Sequence, residues 1–346
     1  MNIRDAAKKA LDDGFTHYPP PLGLPVLREA IAKDSTARRG FEVDPKNVVV
    51  TPGAKPVMFY ALLALIDQGD EVIYPDPGFP IYESMTRYAG GTPVPLKLDE
   101  NKDFRFDPDE LRSLVTPKTK LIIFNSPHNP TGGVLTLEDL EAIADVAREN
   151  DIVVMADEIY GRLVYQGEQH SIAKLPGMAE RTIVLDGFSK TYAMTGWRMG
   201  YAIVPPDLLD AYSKLIINSV SGTSAFQQVA AAEALNGPQD SVDQFAAEFR
   251  ARRDLIVEGL NKIPGVSCRM PSGAFYAFPN ISGLGMTGAE LAEKLLYEAN
   301  VCVLGGQAFG KVSPNNIRIS YANSQTNLRR ALERFEELVS KVPTPA

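Results

Sequence analysis

The fold is decided by residues 121–160, which read LIIFNSPHNPTGGVLTLEDLEAIADVARENDIVVMADEIY. A continuous apolar run over Leu121–Phe124 is followed by a turn segment and by an amphipathic helix, predicted over Leu137–Glu149 from its acidic first turn and its spacing. A second apolar run, Ile152–Ala156, leads into Asp157. Strands that are apolar throughout are typical of a sheet covered by helices on both faces. The stretch therefore predicts a β-α-β unit of a parallel sheet with a right-handed crossover.

The same alternation of strand and helix extends to both sides of this unit. Further apolar runs predict strands at Val48–Thr51, Glu71–Tyr74, Thr182–Leu185 and Tyr201–Val204, with helices through Met58–Ile66 and over Phe79–Tyr88. Beyond Pro238 the pattern predicts a long helix over Val242–Ile263, short strands at Phe275–Phe278, Val301–Leu304 and Ile317–Tyr321, and two more helices. We therefore expect a mostly parallel α/β sheet flanked by helices in a large domain, 18–240, and a smaller α+β domain, 241–346, with 1–17 as a short N-terminal segment and Val342–Ala346 as a frayed tail.

Composition and charge exclude several classes of function. The chain has 346 residues, 45% of them hydrophobic, and its 35 Lys and Arg against 43 Asp and Glu give a net charge of −8. Such a chain lacks the basic excess of a nucleic-acid or anionic-membrane surface, and no apolar run approaches the roughly 18 residues of a membrane-spanning helix. Without an apolar leader, it is expected to be cytoplasmic. Two cysteines and three histidines without metal-ligand spacing predict no metal site, and His128 is interpreted as a turn residue.

Chemically useful side chains follow the predicted strands at the points where the strands end. They are Gly53, Ala54 and Lys55, then Asn125 and Asn129, then Asp157 and Tyr160, and finally Ser189 and Lys190. Because the carboxyl ends of parallel strands meet at one edge of a sheet, we expect these residues to lie together. Each has an ordinary explanation alone, such as a helix cap or a surface charge, but the conjunction favours one cofactor. Pyridoxal 5′-phosphate needs a lysine amine, a carboxylate at its ring nitrogen, and a helix N-terminus with a cation, here Arg198, for its phosphate.

Four segments resemble the signature segments of one enzyme family. They are Ser189–Tyr201 (SKTYAMTGWRMGY), Asn129–Gly132 (NPTG), Asp157–Tyr160 (DEIY) and Arg318–Tyr321 (RISY). In this order and at these spacings they resemble the class I and II aminotransferases, pyridoxal-phosphate enzymes of fold type I, in their aspartate-aminotransferase-like form. The likeness extends from the first residues to the C-terminal helix. It implies a transaminase that moves an amino group from an L-amino acid to a 2-oxo acid such as 2-oxoglutarate by a ping-pong, Schiff-base mechanism.

The resemblance also implies roles for the residues that face the cofactor ring. Lys190 would hold the cofactor covalently and then move the proton between the substrate Cα and the cofactor C4′. Asp157 would pair with the ring nitrogen, and Asn129 and Tyr160 would bond the phenolic oxygen. Phe79 matches the aromatic residue that stacks on the ring.

Further residues would bind the phosphate and the substrate. The phosphate-binding residues implied by the match are Gly53, Ala54, Lys55, Ser189 and Arg198. Tyr18 matches a tyrosine that reaches the phosphate of a neighbouring subunit, which implies a homodimer with shared active sites. Arg318, together with Asn129, would bind the substrate α-carboxylate as a bidentate fork.

Substrate choice and reaction type leave alternatives open. The segment Asn218–Ser224 lacks the arginine that one aspartate-specific subgroup uses, and a second subgroup fits better, so aspartate is the expected donor with alanine or an aromatic amino acid as alternatives. Compared with the family, the chain begins several dozen residues late, which is expected to affect closure over the substrate. A pyridoxal-phosphate Cβ-lyase of the same fold and a non-catalytic ligand-binding module are the alternative functions.

Overall fold

A computed structural model describes residues 2–341, and the predicted tail Val342–Ala346 lies outside the described residues. Its strands are β1 Val48–Thr51, β2 Glu71–Asp76, β3 Thr92–Asp99, β4 Arg105–Phe106, β5 Thr119–Asn125, β6 Val153–Asp157, β7 Thr182–Gly187, β8 Gly200–Ile203, β9 Tyr276–Ala277, β10 Leu304–Gly305 and β11 Ile317–Ser320. The first eight form one sheet in the order β1-β8-β7-β6-β5-β2-β3-β4, and the last three form another in the order β10-β11-β9.

The larger sheet is mostly parallel, which confirms the predicted fold class. Strands β3, β2, β5, β6 and β7 pair in parallel, whereas β8 is antiparallel to both of its neighbours, β7 and β1. Because β8 reverses direction between them, β1 and β7 point the same way. The carboxyl ends of β1, β5, β6 and β7 therefore open on one edge of the sheet.

Helices cover the sheet and build the rest of the molecule. They are α1 Asn2–Asp12, α2 Pro25–Arg39, α3 Lys55–Leu65, α4 Ile81–Tyr88, α5 Pro108–Leu114, α6 Leu137–Glu149, α7 Phe188–Thr191, α8 Leu209–Ser219, α9 Ala225–Asn236, α10 Asp240–Leu260, α11 Gly288–Ala299 and α12 Gln325–Ser340. Helix α6 has the predicted bounds, and a capping box between Thr136 and Asp139 fixes its start. Within residues 2–341, no helix has the length and apolar character needed to cross a membrane.

The C-terminal part combines a long helix, short strands in a separate sheet and two more helices, as the sequence predicts. Helix α10 starts two residues earlier and ends three residues earlier than predicted, and the three short strands that follow pair only with one another. An apolar core cluster contains buried residues of both parts, such as Leu185 of β7 and Ile317 of β11. The domain division at 240/241 and the cytoplasmic location stay predictions.

Candidate active site

One pocket gathers the predicted residues at the carboxyl edge of the large sheet. It has a volume of about 530 Å³. Eleven of the residues singled out from the sequence line it, namely Ala54, Lys55, Phe79, Asn125, Asn129, Asp157, Tyr160, Ser189, Lys190, Arg198 and Arg318. The reversal at β8 brings the turn after β1 beside the turn after β7, so that residues more than a hundred positions apart share one cavity.

Lys190 stands on the single helical turn α7, directly after β7. Burial lowers the pKa of this amine, and the nearby positive charges of Arg318, Arg198 and Lys55 lower it further, while the Asp157 carboxylate opposes the shift. The Lys190 Nζ atom lies 5.8 Å from the ring centre of Tyr160. A buried amine among cations is deprotonated more readily than a surface lysine, so it can act as a nucleophile or a base.

Asp157, the last residue of β6, presents a carboxylate that is 4% exposed. The Tyr82 hydroxyl donates to its Oδ2 atom at 2.7 Å, and the Ile159 N–H donates to Oδ1 at 3.2 Å. Burial raises the pKa of Asp157 to about 6, although both hydrogen bonds oppose that shift. Sequence reasoning missed Tyr82, for which the only signal is its place three residues after Phe79, one helical turn on.

Asn125, which was expected at this sheet edge but was given no role, links two strand ends. Its side-chain NH₂ donates to the Asp157 carbonyl at 2.8 Å, and its Oδ1 atom accepts from the Asn129 N–H at 2.8 Å. The Asn129 Oδ1 atom in turn accepts from Nη1 of Arg318 at 3.0 Å. A chain of hydrogen bonds therefore runs from the end of β6 to the arginine on β11.

Arg318 projects from the small sheet into the pocket of the large one. Its Cζ atom lies 4.6 Å from the ring centre of Tyr276 and 4.7 Å from that of Phe309, close enough for cation–π attraction. Its buried Nε atom has no hydrogen-bond partner among residues 2–341. A half-buried guanidinium with an unpartnered donor can bind a carboxylate.

The turn after β1 forms a cradle for an anion. Gly53 has φ of +89°, and a Cβ atom there would overlap the Arg198 guanidinium. Helix α3 begins at Lys55, and its N-cap, Ala54, provides no side-chain hydrogen bond. Pro56 has no N–H and the Val57 N–H donates to the Ala54 carbonyl at 3.1 Å, so the N–H groups of Ala54 and Lys55 are the ones available to a ligand. Ser189 lines the pocket on the side of β7. Free N–H groups beside an arginine are the surroundings that a phosphate prefers.

Two tyrosines close the pocket on the side of the small sheet. The hydroxyl groups of Tyr160 and Tyr276 lie 2.9 Å apart, and burial raises the pKa of both phenols. No motif in the sequence marks Tyr276 as a site residue. Other lining residues that the sequence analysis did not single out are Met58, Ile159, Leu185 and Thr195. No motif marks them, because they reach the cavity through strand and helix packing.

Tyr18 and His128 do not join this pocket. Tyr18 is 89% exposed and lines a separate open depression with Phe15 and Phe226. His128 is buried, and its Nδ1 atom lies 2.8 Å from the Thr131 hydroxyl within the turn, which confirms its interpretation as a turn residue. Tyr18 can therefore reach an active site only if that site belongs to another subunit.

Proteins of one enzyme family are similar to this chain, in sequence and in structure, over nearly its whole length. The sequence profile of the family "Aminotransferase class I and II" matches residues 1–335. The aspartate aminotransferase of Pyrococcus abyssi is 43% identical over 98% of this chain and 88% of its own, and the aromatic-amino-acid aminotransferase 2 of Thermococcus litoralis is 40% identical over the same shares. The crystal structure of the aromatic aminotransferase from Pyrococcus horikoshii OT3 superposes with a TM-score of 0.96 at 42% identity, covering 98% of this chain and 92% of that one. The chain therefore belongs to the class I and II aminotransferases and is an amino acid transaminase.

Proposed function

We propose that the pocket binds pyridoxal 5′-phosphate and that the enzyme takes the amino group from aspartate and passes it to a 2-oxo acid such as 2-oxoglutarate. The observation that supports this is the pair formed by Lys190 and Asp157, an amine of lowered pKa and a buried carboxylate that line one pocket. When bound, pyridoxal phosphate supplies an aldehyde that joins to an amine and a ring that takes up the electron pair left at the substrate α-carbon.

The residues present fit the cofactor at its phosphate end. The backbone N–H groups of Ala54 and Lys55 at the start of α3 are uncapped, and the space beside Gly53 is too small for a side chain. We assign Gly53, Ser189, Arg198 and the backbone N–H groups of Ala54 and Lys55 to the phosphate, which leaves the Lys55 side chain free of this role. The charge of Arg198 and the helix N-terminus both favour a dianion at this place.

The residues also fit the ring. Asp157 pairs with the ring nitrogen as an acceptor, held by its two hydrogen bonds. Asn129 and Tyr160 bond the phenolic oxygen, and Phe79 covers a ring face. Lys190 would hold the cofactor through its amine, and when free and neutral that amine would move the proton between the substrate Cα and the neighbouring carbon of the cofactor. The lowered pKa increases the share of Lys190 that is neutral and can act as a base, relative to a surface lysine.

The charges that line the pocket favour a dicarboxylic substrate. After Arg198 is assigned to the phosphate and Arg318 to the α-carboxylate, one further cation, Lys55, remains for a second carboxylate. The Lys55 Nζ atom lies 5.6 Å from the ring centre of Phe79, and within residues 2–341 it forms no ion pair. The name of the Pyrococcus abyssi relative agrees with aspartate, whereas the Thermococcus litoralis relative is named for aromatic amino acids.

We propose a homodimer in which Tyr18 completes the partner's phosphate site. Its exposure, and the apolar depression that it shares with Leu11 and Phe15, suit a surface covered by a second copy. The test mixes two variants that are expected to be inactive, Lys190→Ala and Tyr18→Ala, and lets their subunits exchange. A mixed dimer regains one complete site, so about a quarter of the wild-type sites should return. A monomer by sedimentation, or no regain of activity, contradicts the shared site.

Reduction with borohydride tests the cofactor and its anchor together. The protein is loaded with pyridoxal phosphate, reduced and digested, and the labelled peptide is identified by mass spectrometry. We expect the label at Lys190, none in Lys190→Ala, and an unchanged label in the control Lys214→Ala, which removes an exposed lysine of α8. A label elsewhere overturns the assignment.

A second experiment tests the amino donor. Aspartate, alanine and phenylalanine are added singly to the unreduced enzyme, and the rate at which pyridoxamine phosphate forms is measured. The fastest formation with aspartate supports aspartate as the donor, and no formation with any of the three contradicts transamination in this pocket.

A further inference from the structure

Two turns from different sheets meet at the rim of the pocket. The turn 76–79 includes the end of β2 in the large sheet, and the turn 309–312 precedes β11 in the small sheet. The N–H of Gly78 donates to the carbonyl oxygen of Phe309 at 2.6 Å. The first turn also carries Phe79 into the pocket. The contact therefore joins the two parts of the chain at the place where both contribute side chains to the site.

The carboxylate of Asp76, in the first turn, packs against the second turn. It is 3% exposed, and its Oδ2 atom accepts from the Lys311 N–H at 3.1 Å. Burial raises the pKa of Asp76, while the N–H groups of Lys311 and Val312 oppose that shift. The Oδ1 atom has no partner among residues 2–341 and lies against Gly310, where φ is +146° and a Cβ atom would overlap this oxygen. Only a glycine allows such an approach.

The second turn fixes the surroundings of Arg318. Phe309 is buried, meets the edge of Phe278 at 6.2 Å, and places its ring centre 4.7 Å from the guanidinium carbon. Within the described part of the chain, residues 2–341, one hydrogen bond holds the guanidinium, the one from Nη1 to Asn129. The orientation of the arginine therefore depends on the two rings that it lies over, and one of them is carried by the turn that Asp76 holds.

We propose that Asp76 is a positioning residue for substrate binding, because it holds the turn 309–312 and thereby keeps Phe309 against Arg318. The inference rests on the proposed role of Arg318 at the substrate carboxylate. Asp76 itself does not line the pocket. A misplaced arginine weakens the hold on the carboxylate in the ground state and in the transition state alike, so KM rises while kcat changes little.

The test compares the holoenzyme with four variants. For wild type, Asp76→Asn, Asp76→Ala, Arg318→Lys and Asp107→Ala, one measures kcat and KM for aspartate and the Kd of succinate, an unreactive dicarboxylate. For Asp76→Ala we expect both KM and Kd to rise about tenfold, with kcat within about twofold of wild type. Asp76→Asn, which keeps one acceptor oxygen, should raise them about threefold. Asp107→Ala, which removes an exposed carboxylate that caps α5, should leave both unchanged.

The outcomes separate this inference from the proposed function. If Asp76→Ala binds succinate as wild type does, or loses kcat without a change in KM, the positioning role is wrong. If Arg318→Lys binds succinate as wild type does, the proposed carboxylate site is wrong instead. Should Asp76→Ala fail to fold, Gly310→Ala displaces the same turn by overlap with Oδ1 and keeps the charge, and the same rise in KM is expected. An unchanged KM there overturns the inference.

Discussion

Replacing Tyr82 by phenylalanine tests how the buried Asp157 is kept charged. In the wild type the Tyr82 hydroxyl donates to Oδ2 at 2.7 Å, and the Ile159 N–H donates to Oδ1 at 3.2 Å. Burial raises the pKa of Asp157 to about 6, and these two bonds oppose that shift. The variant removes one donor and leaves the burial unchanged. We therefore expect the pKa of Asp157 to rise further.

The size of the change follows from the strength of the lost bond. A hydrogen bond to a charged group contributes about 1.5–3 kcal/mol. One pKa unit corresponds to about 1.4 kcal/mol of difference between the two protonation states. The pKa of Asp157 should therefore rise by about 1–2 units, to about 7–8, if most of the bond energy favours the charged form.

The pH dependence of the unfolding free energy of Tyr82→Phe reports the rise in the pKa of Asp157, and the direction of the effect can be derived. Between about pH 6 and pH 8 the folded variant holds a proton on Asp157 that neither the folded wild type nor the unfolded chain holds. The unfolding free energy of the variant therefore falls as pH rises through this window, while the Asp157 contribution in the wild type no longer changes. The difference between the two proteins should widen by about 1.5–3 kcal/mol from pH 5 to pH 9. Urea unfolding of the cofactor-free proteins measures it.

Tyr212→Phe is the matched control. It also removes a buried tyrosine hydroxyl, but this one donates to a neutral acceptor, the Val57 carbonyl, at 3.1 Å. Its loss of stability should be about 1 kcal/mol at every pH. If the loss in Tyr82→Phe is equally independent of pH, Tyr82 does not stabilise the charged form of Asp157, and the reasoning is refuted. In the holoenzyme kcat should fall about tenfold in Tyr82→Phe, because a neutral Asp157 pairs poorly with a protonated ring nitrogen.

Three other residues give further tests. Gly53→Ala places a Cβ atom on the Arg198 guanidinium at a φ of +89°, so the Kd of pyridoxal phosphate, measured by fluorescence, should rise at least about tenfold; an unchanged Kd contradicts the phosphate assignment. Lys55→Met should raise KM for aspartate about tenfold more than KM for phenylalanine, and an equal effect on both contradicts the role in a second carboxylate site. Burial lowers the pKa of His128 to about 3, so the folded protein does not take up the proton that an unfolded chain binds below about pH 6.5, and His128 lowers stability as pH falls. Its imidazole NMR signals should not titrate between pH 5 and pH 9.

The fold was largely predictable because the central strands are buried on both faces. Strands of β-branched and other apolar residues such as β5, β6 and β7 leave a continuous signal. Compared with the prediction, β5 is two residues longer at its start and one at its end, β6 is shifted by one residue toward the C-terminus, and β7 is two residues longer at its end. Asn125 and Asp157 belong to strands because they pair with each other in the parallel ladder. Strand β3 was missed, since its half-exposed pattern and its two prolines at positions 93 and 95 hide the strand near the edge of the sheet.

The sequence predicts the pocket residues that belong to motifs. It does not predict the residues that reach the pocket only through long-range contacts. Lys190, Asp157 and Asn129 sit in segments that the family resemblance marks. Tyr82 is hydrogen-bonded to Asp157, and Tyr276 to Tyr160, across 75 and 116 positions of sequence, and no local pattern encodes such contacts. Most residues that line the pocket could therefore be predicted from the sequence, whereas the hydrogen bonds that oppose the effect of burial on the pKa of Asp157 could not.

The distance between the Lys190 amine and the Asp157 carboxylate depends on helix α2, which lies outside the pocket. Arg39, the last residue of α2, donates from Nε to Glu158 and from Nη2 to Asp186, each at 2.7 Å. Glu158 follows Asp157 directly, and Asp186 precedes Lys190 by four residues. Both carboxylates and the guanidinium are buried. Loss of the arginine would leave Glu158 without its ion-pair partner and Asp186 with Arg38 alone, at a cost of about 3–5 kcal/mol. Since a rigid guanidinium fork fixes both partners at once, it ties the end of β6 to the end of β7, although α2 contributes no residue to the described lining of the pocket.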